Sequence, residues 1–295
     1  MKKMQNGGHS LAAQKHQKAE ETKGKLGLII NKKQPPRNRI LVGIPMTGLL
    51  RSEWVIARYN QVIPANWSQT DCIQWIEQYS PLGYLVADAR NIIVQKFMDM
   101  NFEWLFFIDH DVVLPPMTIL TMNEYINKAN VPMLSGLYFT KSVPSEPLVY
   151  RGRGNSYFGN WRIGDKVWVD GIPMGCTLIH RSIIATMYEH SEVYKAGGIQ
   201  MRRVFESPAE TTFDVDTMSW SNKVGTEDLK FCSRLMEEGL LAKAGWSKLQ
   251  RKRYPFLIDT RLYCKHIDWN GTQYPAKGEE LQYATKKQLK SIGLG

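Results

Sequence analysis

Apolar residues along this chain fall into two patterns, unbroken runs of strand length and positions recurring every three or four residues. The run Arg39-Ile40-Leu41-Val42-Gly43-Ile44 predicts a buried first strand, which Pro45 stops. Ser52 is placed to cap a helix over 53–62 that must end before Pro64. A short strand near 73–78 and a turn at Ser80-Pro81-Leu82-Gly83 lead to a second helix over 87–100, with Ile92, Ile93, Phe97 and Met98 on one face. Trp104-Leu105-Phe106-Phe107-Ile108 is apolar without a break, as in a strand covered on both faces. Pro115 and Pro116 suit the first turn of a helix reaching 128, and 131–138 reads as the next strand. Strands alternating with helices predict an α/β domain with a mostly parallel central sheet flanked by helices.

The texture changes near residue 147. Leu148-Val149-Tyr150, 155–161 and Lys166-Val167-Trp168-Val169 read as short aromatic strands of a small antiparallel insert, separated by Gly and Asn turns. Gly175-Cys176-Thr177-Leu178-Ile179-His180 follows, then a helix over 181–189 and a polar loop over 191–224 long enough to act as a lid. A helix opening at Glu227-Asp228 and a last strand over 256–266 complete the pattern, with no internal repeat.

At 295 residues, 43% hydrophobic and 22% charged, the chain has the composition of an ordinary globular protein with room for a sizeable core. Its net charge of +10 suggests nucleic acid or membrane until its placement is considered. Residues 1–37 hold nine Lys or Arg against two Glu, which leaves only +3 for the rest. The expectation is a disordered basic tail on a nearly neutral body, with weak contact to anionic surfaces and no specific nucleic-acid recognition. Cys72, Cys176, Cys232 and Cys264 are widely scattered, which argues against a zinc knuckle or disulfide framework and suits reduced thiols. The apolar run 26–30 is too short for the core of a signal peptide, and no stretch approaches the roughly 18 apolar residues of a membrane span. A soluble, cytoplasmic protein is expected, with at most peripheral contact at a membrane.

Candidate chemistry concentrates where the run 104–108 meets Asp109-His110-Asp111. Ligands of parallel α/β sheets bind outside the carboxyl ends of the strands. Two aspartates there offer hard oxygens to Mg²⁺ or Mn²⁺ and leave positions for water and a diphosphate. Asp-x-Asp alone is a weak pattern, and a second copy stands at Asp214-Val215-Asp216. Only the first follows a strand-like run and exits through Val112-Val113-Leu114-Pro115-Pro116 into a helix, so context selects Asp109 and Asp111. Glu227 and Asp228 sit where a helix N-terminus favours carboxylates; the pair either caps the helix or supplies a general base. His266 ends an apolar strand, and its imidazole either is structural or completes a Mn²⁺ site. Arg90 and Asn91, in the first turn of the second helix, suit a phosphate or a base edge, although an exposed helix arginine is the commoner role. Lys248, Arg251, Lys252 and Arg253 form either a solvated face or a contact for diphosphate or an anionic acceptor.

Taken in order, Ile44-Pro45, Ala89-Arg90-Asn91, Asp109-x-Asp111, Ser135-Gly136-Leu137-Tyr138, Gly175 to Ile179, Glu227-Asp228 and a late strand ending in His266 resemble GT-A fold glycosyltransferases. The series looks most like the family 2 group and spans about residues 38–268. The resemblance implies a donor-binding half at 38–146 and an acceptor and catalytic half of the same domain at 147–270. The basic tail at 1–37 precedes them and a C-terminal tail at 271–295 follows. It also implies metal-dependent transfer of a sugar from a nucleotide-diphosphate sugar to a hydroxyl of a glycan, lipid or small molecule. By the same likeness Mn²⁺ or Mg²⁺ would bridge Asp111 and Asp109 to the diphosphate, with His266 completing the shell. Pro45, Thr47, Arg90 and Asn91 would lie near the nucleotide, Gly175 would line the sugar and acceptor pocket, and Asp228 or Glu227 would act as base. The chain departs from that group in the bulky His110 and in Leu229-Lys230-Phe231, where an aromatic signature usually follows Glu-Asp.

Two other classes compete. A nucleotidyltransferase would use the same aspartates, but Gly43-Ile44-Pro45-Met46-Thr47-Gly48 lacks the lysine of a basic phosphate loop. A non-catalytic nucleotide- or sugar-binding module would have no need of Asp109, Asp111, Asp228 and His266 together.

Overall fold

The computed structural model describes residues 39–63, 75–100, 102–152, 158–214 and 218–279. The basic tail at 1–37, the beginning of the strand expected near 73, part of the aromatic stretch 155–161, Val215 and Asp216 of the second Asp-x-Asp pattern, and 280–295 lie outside the described residues.

The strands are β1 (Arg39–Gly43), β2 (Trp75–Tyr79), β3 (Trp104–Ile108), β4 (Val112–Val113), β5 (Met133–Leu137), β6 (Lys166–Val169) and β7 (Cys176–His180). They continue as β8 (Val193–Ala196), β9 (Ile199–Arg202), β10 (Ala209–Asp214), β11 (Ser219–Val224), β12 (Phe256–Tyr263), β13 (Lys265–Ile267) and β14 (Gln273–Tyr274). The helices are α1 (Ser52–Tyr59), α2 (Val86–Met100), α3 (Thr118–Lys128), α4 (Arg181–Glu189), α5 (Glu227–Glu237), α6 (Leu240–Lys243) and α7 (Ser247–Gln250).

Seven strands form one sheet in the order β2-β1-β3-β7-β5-β12-β6. β1 pairs in parallel with β2 and β3, and β5 with β12; β7 runs antiparallel between β3 and β5, and β6 is an antiparallel edge. The mostly parallel α/β sheet expected from the sequence is present. Consecutive strand residues point to opposite faces. Ile40, Val42, Trp104, Phe106 and Ile108 pack with Trp54 of α1 and with Ile119, Met122 and Ile126 of α3. Leu41, Leu105 and Phe107 pack on the other side, with residues of α2, α4 and α5. Helices on both faces explain why 104–108 is apolar throughout.

Several elements differ from expectation. α1 stops at Tyr59 because Gln61 leaves the helix and donates its amide to the carbonyls of Ala57 and Pro115. Pro115 and Pro116 precede α3 rather than opening it, since the Pro115 carbonyl accepts from both the amide and the hydroxyl of Thr118. Lys166–Val169 is a strand, but it joins the main sheet beside β12, while Phe139 and Tyr150 make only isolated bridges, to Pro147 and Gly171. The polar stretch 191–224, expected as a loop, holds two hairpins, β8–β9 and β10–β11. Gly197 and Gly198 turn the first at φ 55° and 79°, a conformation open to glycine. The last strand divides into β12 and β13 after a register shift between Asp259 and Tyr263. Residues 271–279 pack on the body, because β14 pairs with β13 and Glu279 accepts from the Ser145 amide. Cys176, Cys232 and Cys264 are buried free thiols. Among the described residues no helix is long and apolar enough to cross a membrane.

α4 begins on an unusual cap. His180 Nδ1 accepts from the Ser182 amide at 3.2 Å while the ring lies edge-on to Trp104 and Trp246. Burial, then the neighbouring Arg181 charge, lowers its pKa to about 4. Protonation removes the accepting lone pair and puts a cation at a helix N-terminus. Above the ordinary histidine pKa both folded and unfolded chains are neutral here. Below it the unfolded chain takes up the proton first, so stability falls with pH. Urea unfolding is expected to show a loss of about 1–2 kcal/mol between roughly pH 7 and pH 5 from this group, allowing for partial solvent screening. His180→Asn keeps a capping acceptor and is expected to remove that component of the acid dependence.

Candidate active site

Apart from Asn91 and the basic run at 248–253, the candidate residues gather at one edge of the sheet, where β1, β3 and β5 end and antiparallel β7 begins. Ile108 pairs with Cys176, so the chain leaves β3 at Asp109 beside the entry to β7 at Gly175, and the Asp109 amide donates to the Gly175 carbonyl. Glycine is required at that approach. A Cβ on residue 175 would lie 2.7 Å from the Tyr138 hydroxyl and 3.0 Å from Asp109 Oδ2. The Gly175 amide donates to the Tyr138 hydroxyl at 2.7 Å. The Asp109 carbonyl accepts from the Trp54 indole at 2.8 Å and from the Val112 amide, which fixes the turn carrying His110 and Asp111.

Arg90 is the centre of the cluster. It is 1% exposed, and its guanidinium meets Asp109 at 3.1 Å, Glu227 at 3.1 Å and Asp228 at 3.7 Å. Burial works to lower its pKa, but Asp109, Asp228 and Glu227 outweigh that and bind the proton more firmly. α2 thus presents one cation to the end of β3 and to the N-terminus of α5. Burial, followed by the Glu227 and Asp109 charges, pushes the Asp228 carboxyl well above the usual range against the pull of Arg90. Burial also raises Asp109, with Asp111 adding to it, despite the attraction of Arg90. At Glu227 burial is overcome by Arg90 and by hydrogen bonds, so its carboxyl lies below the usual range. Asp228 Oδ2 accepts from the Met174 amide at 3.0 Å. Arg90 Nη1, Asp109 Oδ1 and Asp228 Oδ1 are buried without a hydrogen-bond partner among the described residues.

A second group lies around Asp111. The small sheet β14-β13-β4 pairs His266 with Val112, and the Ile267 amide donates to the Asp111 carbonyl at 2.8 Å. Lys141 Nζ is 2.6 Å from Asp111 Oδ2 and 3.9 Å from Asp268 Oδ1, and the Tyr274 hydroxyl donates to the other Asp268 oxygen. Burial would raise the Asp111 carboxyl, but His266, Lys141 and His110 bring it below the usual range. His266 packs edge-on to Tyr138 and donates from Nδ1 to the Phe139 carbonyl. That bond leaves Nε2 as the unprotonated nitrogen, and burial lowers the ring pKa in spite of Asp111.

The remaining candidates divide. Pro45 is buried at the end of β1, and the Thr47 hydroxyl lies 3.2 Å from His110 Nε2, linking the loops after β1 and β3. Asn91, expected near a nucleotide, is buried instead with its amide joined to both the amide and the carbonyl of Phe205 and to the Tyr194 hydroxyl. Arg251, Lys252 and Arg253 are exposed, and Lys252 lies over the Trp168 ring at 4.4 Å. Sequence reasoning missed Lys141, Asp268, Trp54 and Tyr138 as site residues. Asp268 carried no signal, because it lies past the end of β13 where no strand period reaches it.

Asp109, Asp111 and His266 are residue types that ligate Mn²⁺ or Mg²⁺, and Asp109 Oδ1 is buried without a hydrogen-bond partner among the described residues. Among the described residues no three His, Cys, Asp or Glu side chains are grouped to hold a metal ion by themselves. A partial protein shell is the usual arrangement for a cation that also binds substrate phosphates.

No protein-family model matches the chain, and no curated protein matches it. Solved structures overlap it in part. A197 from STIV is 18% identical with a TM-score of 0.46, covering 78% of this chain and 86% of its own. S. aureus TarS is 10% identical with a TM-score of 0.32, over 75% of this chain and 36% of TarS. A glycosyltransferase involved in the glycosylation of the major capsid of PBCV-1 is 14% identical with a TM-score of 0.22, over 50% of this chain and 61% of that one. These overlaps are loose, and the functional reading rests on the chain's own residues.

Proposed function

We propose that the protein is a metal-dependent glycosyltransferase of the GT-A type, moving a sugar from a nucleotide-diphosphate sugar to an acceptor hydroxyl. The observation that carries this reading is the meeting of Asp109, at the carboxyl end of β3, with Glu227 and Asp228, at the N-terminus of α5, across buried Arg90. A donor-side carboxylate and a possible base are thereby held in one cluster.

Asp111 and His266, with Asp109, would hold Mn²⁺ or Mg²⁺. When bound, the cation neutralises charge developing on the departing nucleoside diphosphate. Asp228 takes the proton of the acceptor hydroxyl while its oxygen forms a bond to the anomeric carbon. The bond from that carbon to the diphosphate breaks, and the diphosphate leaves with the electron pair. Raised proton affinity suits Asp228 to this role better than Glu227, which is paired with Arg90. A cavity of about 480 Å³ runs along α5 from Leu229 to Glu237, walled by Tyr150 and Gly171, and we take it as the acceptor's approach, one residue past Asp228 in the chain. We place the protein in the cytoplasm, with the basic tail as its contact to anionic surfaces.

The test is nucleoside diphosphate release from a panel of nucleotide sugars with Mn²⁺, Mg²⁺ or EDTA. Release is expected to require metal, to be lost in Asp111→Ala and to fall at least about tenfold in His266→Ala. No release from any donor, with metal binding unchanged in both variants, would overturn the reading.

A further inference from the structure

Lys141 is unexplained by the chemistry above. It follows β5 on an irregular segment, and its ammonium sits on Asp111 with Asp268 as a second, longer partner. The carboxylate oxygen it occupies belongs to the residue best placed to ligate a cation. Its side chain is 32% exposed, so it can leave without breaking the fold. Nearby groups are otherwise fixed: Asp268 by Tyr274, His266 by Phe139, and the Asp111 backbone by Ile267. Lysine carries its charge on a flexible four-carbon stem.

We propose that Lys141 is a tethered cation that holds the metal locus of Asp111 and is handed to the donor diphosphate when the metal arrives. One positive charge is thereby held against Asp111, with Asp268 at longer range, before the metal binds. The metal must displace the ammonium, which lowers metal affinity in the absence of donor. The displaced ammonium then needs a new anion, and the diphosphate provides one. Metal and diphosphate each favour the other's binding, and by linkage the effect is reciprocal. Lys141 is a binding residue for the diphosphate under this scheme, which rests on the metal assignment in the proposed function.

Two calorimetric titrations of the full chain test it, one with Mn²⁺ alone and one with inorganic pyrophosphate at saturating Mn²⁺. Lys141→Met is expected to bind Mn²⁺ about five- to tenfold more tightly than wild type and pyrophosphate about fivefold more weakly. Lys141→Arg restores the cation and is expected to return both affinities to within about twofold of wild type. If Asp111→Asn abolishes Mn²⁺ binding while Lys141→Met leaves both affinities unchanged, the tethered-cation scheme is overturned and the metal assignment stands. If neither wild type nor Lys141→Met binds Mn²⁺, the metal assignment itself fails and takes the scheme with it.

Discussion

Replacing Arg90 by leucine is expected to cost about 3–5 kcal/mol of stability, read by urea unfolding near neutral pH. The guanidinium is buried and is the cation that Asp109, Glu227 and Asp228 share. Removing one member of a buried ionic cluster leaves the others desolvated without compensation, which costs more than the intact cluster contributes. Arg90→Lys is expected to recover only part of the loss, because one ammonium cannot present a planar fork to three carboxylates. A loss below about 1 kcal/mol would show that water reaches the cluster and screens it.

Asp228→Asn is expected to lower turnover by about 10²–10⁴-fold, the usual contribution of a positioned base, with little change in Mn²⁺ affinity or in the unfolding midpoint. The amide is nearly isosteric and carries no charge. Its oxygen can still accept from the Met174 amide, so the replacement disturbs the resting cluster little. Glu227→Gln provides the contrast. It weakens a direct partner of Arg90 and is expected to reduce stability more than Asp228→Asn while leaving a base in place. Turnover in Asp228→Asn within about threefold of wild type would remove this residue from the reaction.

The parts of the site that follow from local pattern were legible in the sequence. Asp109 and Asp111 could be chosen over Asp214 and Asp216 because an unbroken apolar run fixes where a covered strand ends. Glu227 and Asp228 were visible as carboxylates at a helix start. Arg90 was singled out, but its role was hidden, because its partners lie 19 and 137 residues away and only the fold removes it from water. Asn91 illustrates the same limit in reverse, since its amide closes on Phe205, 114 residues on. Lys141 gave no signal, being a single lysine on an irregular segment. The hairpins within 191–224 were obscured by polar composition, which β8 and β9 tolerate because little of either is buried.

The place of β7 has a consequence for biosynthesis. It lies between β3 and β5 in space but follows both in the chain. Until residue 180 has left the ribosome, β3 and β5 have no common neighbour, and each offers an unpaired edge of backbone donors and acceptors. The nascent protein therefore carries an open edge on β3 from residue 108 and on β5 from residue 137 until β7 is made, and the far edge of β5 stays open until β12 follows, a window for misassociation written into the order of the strands.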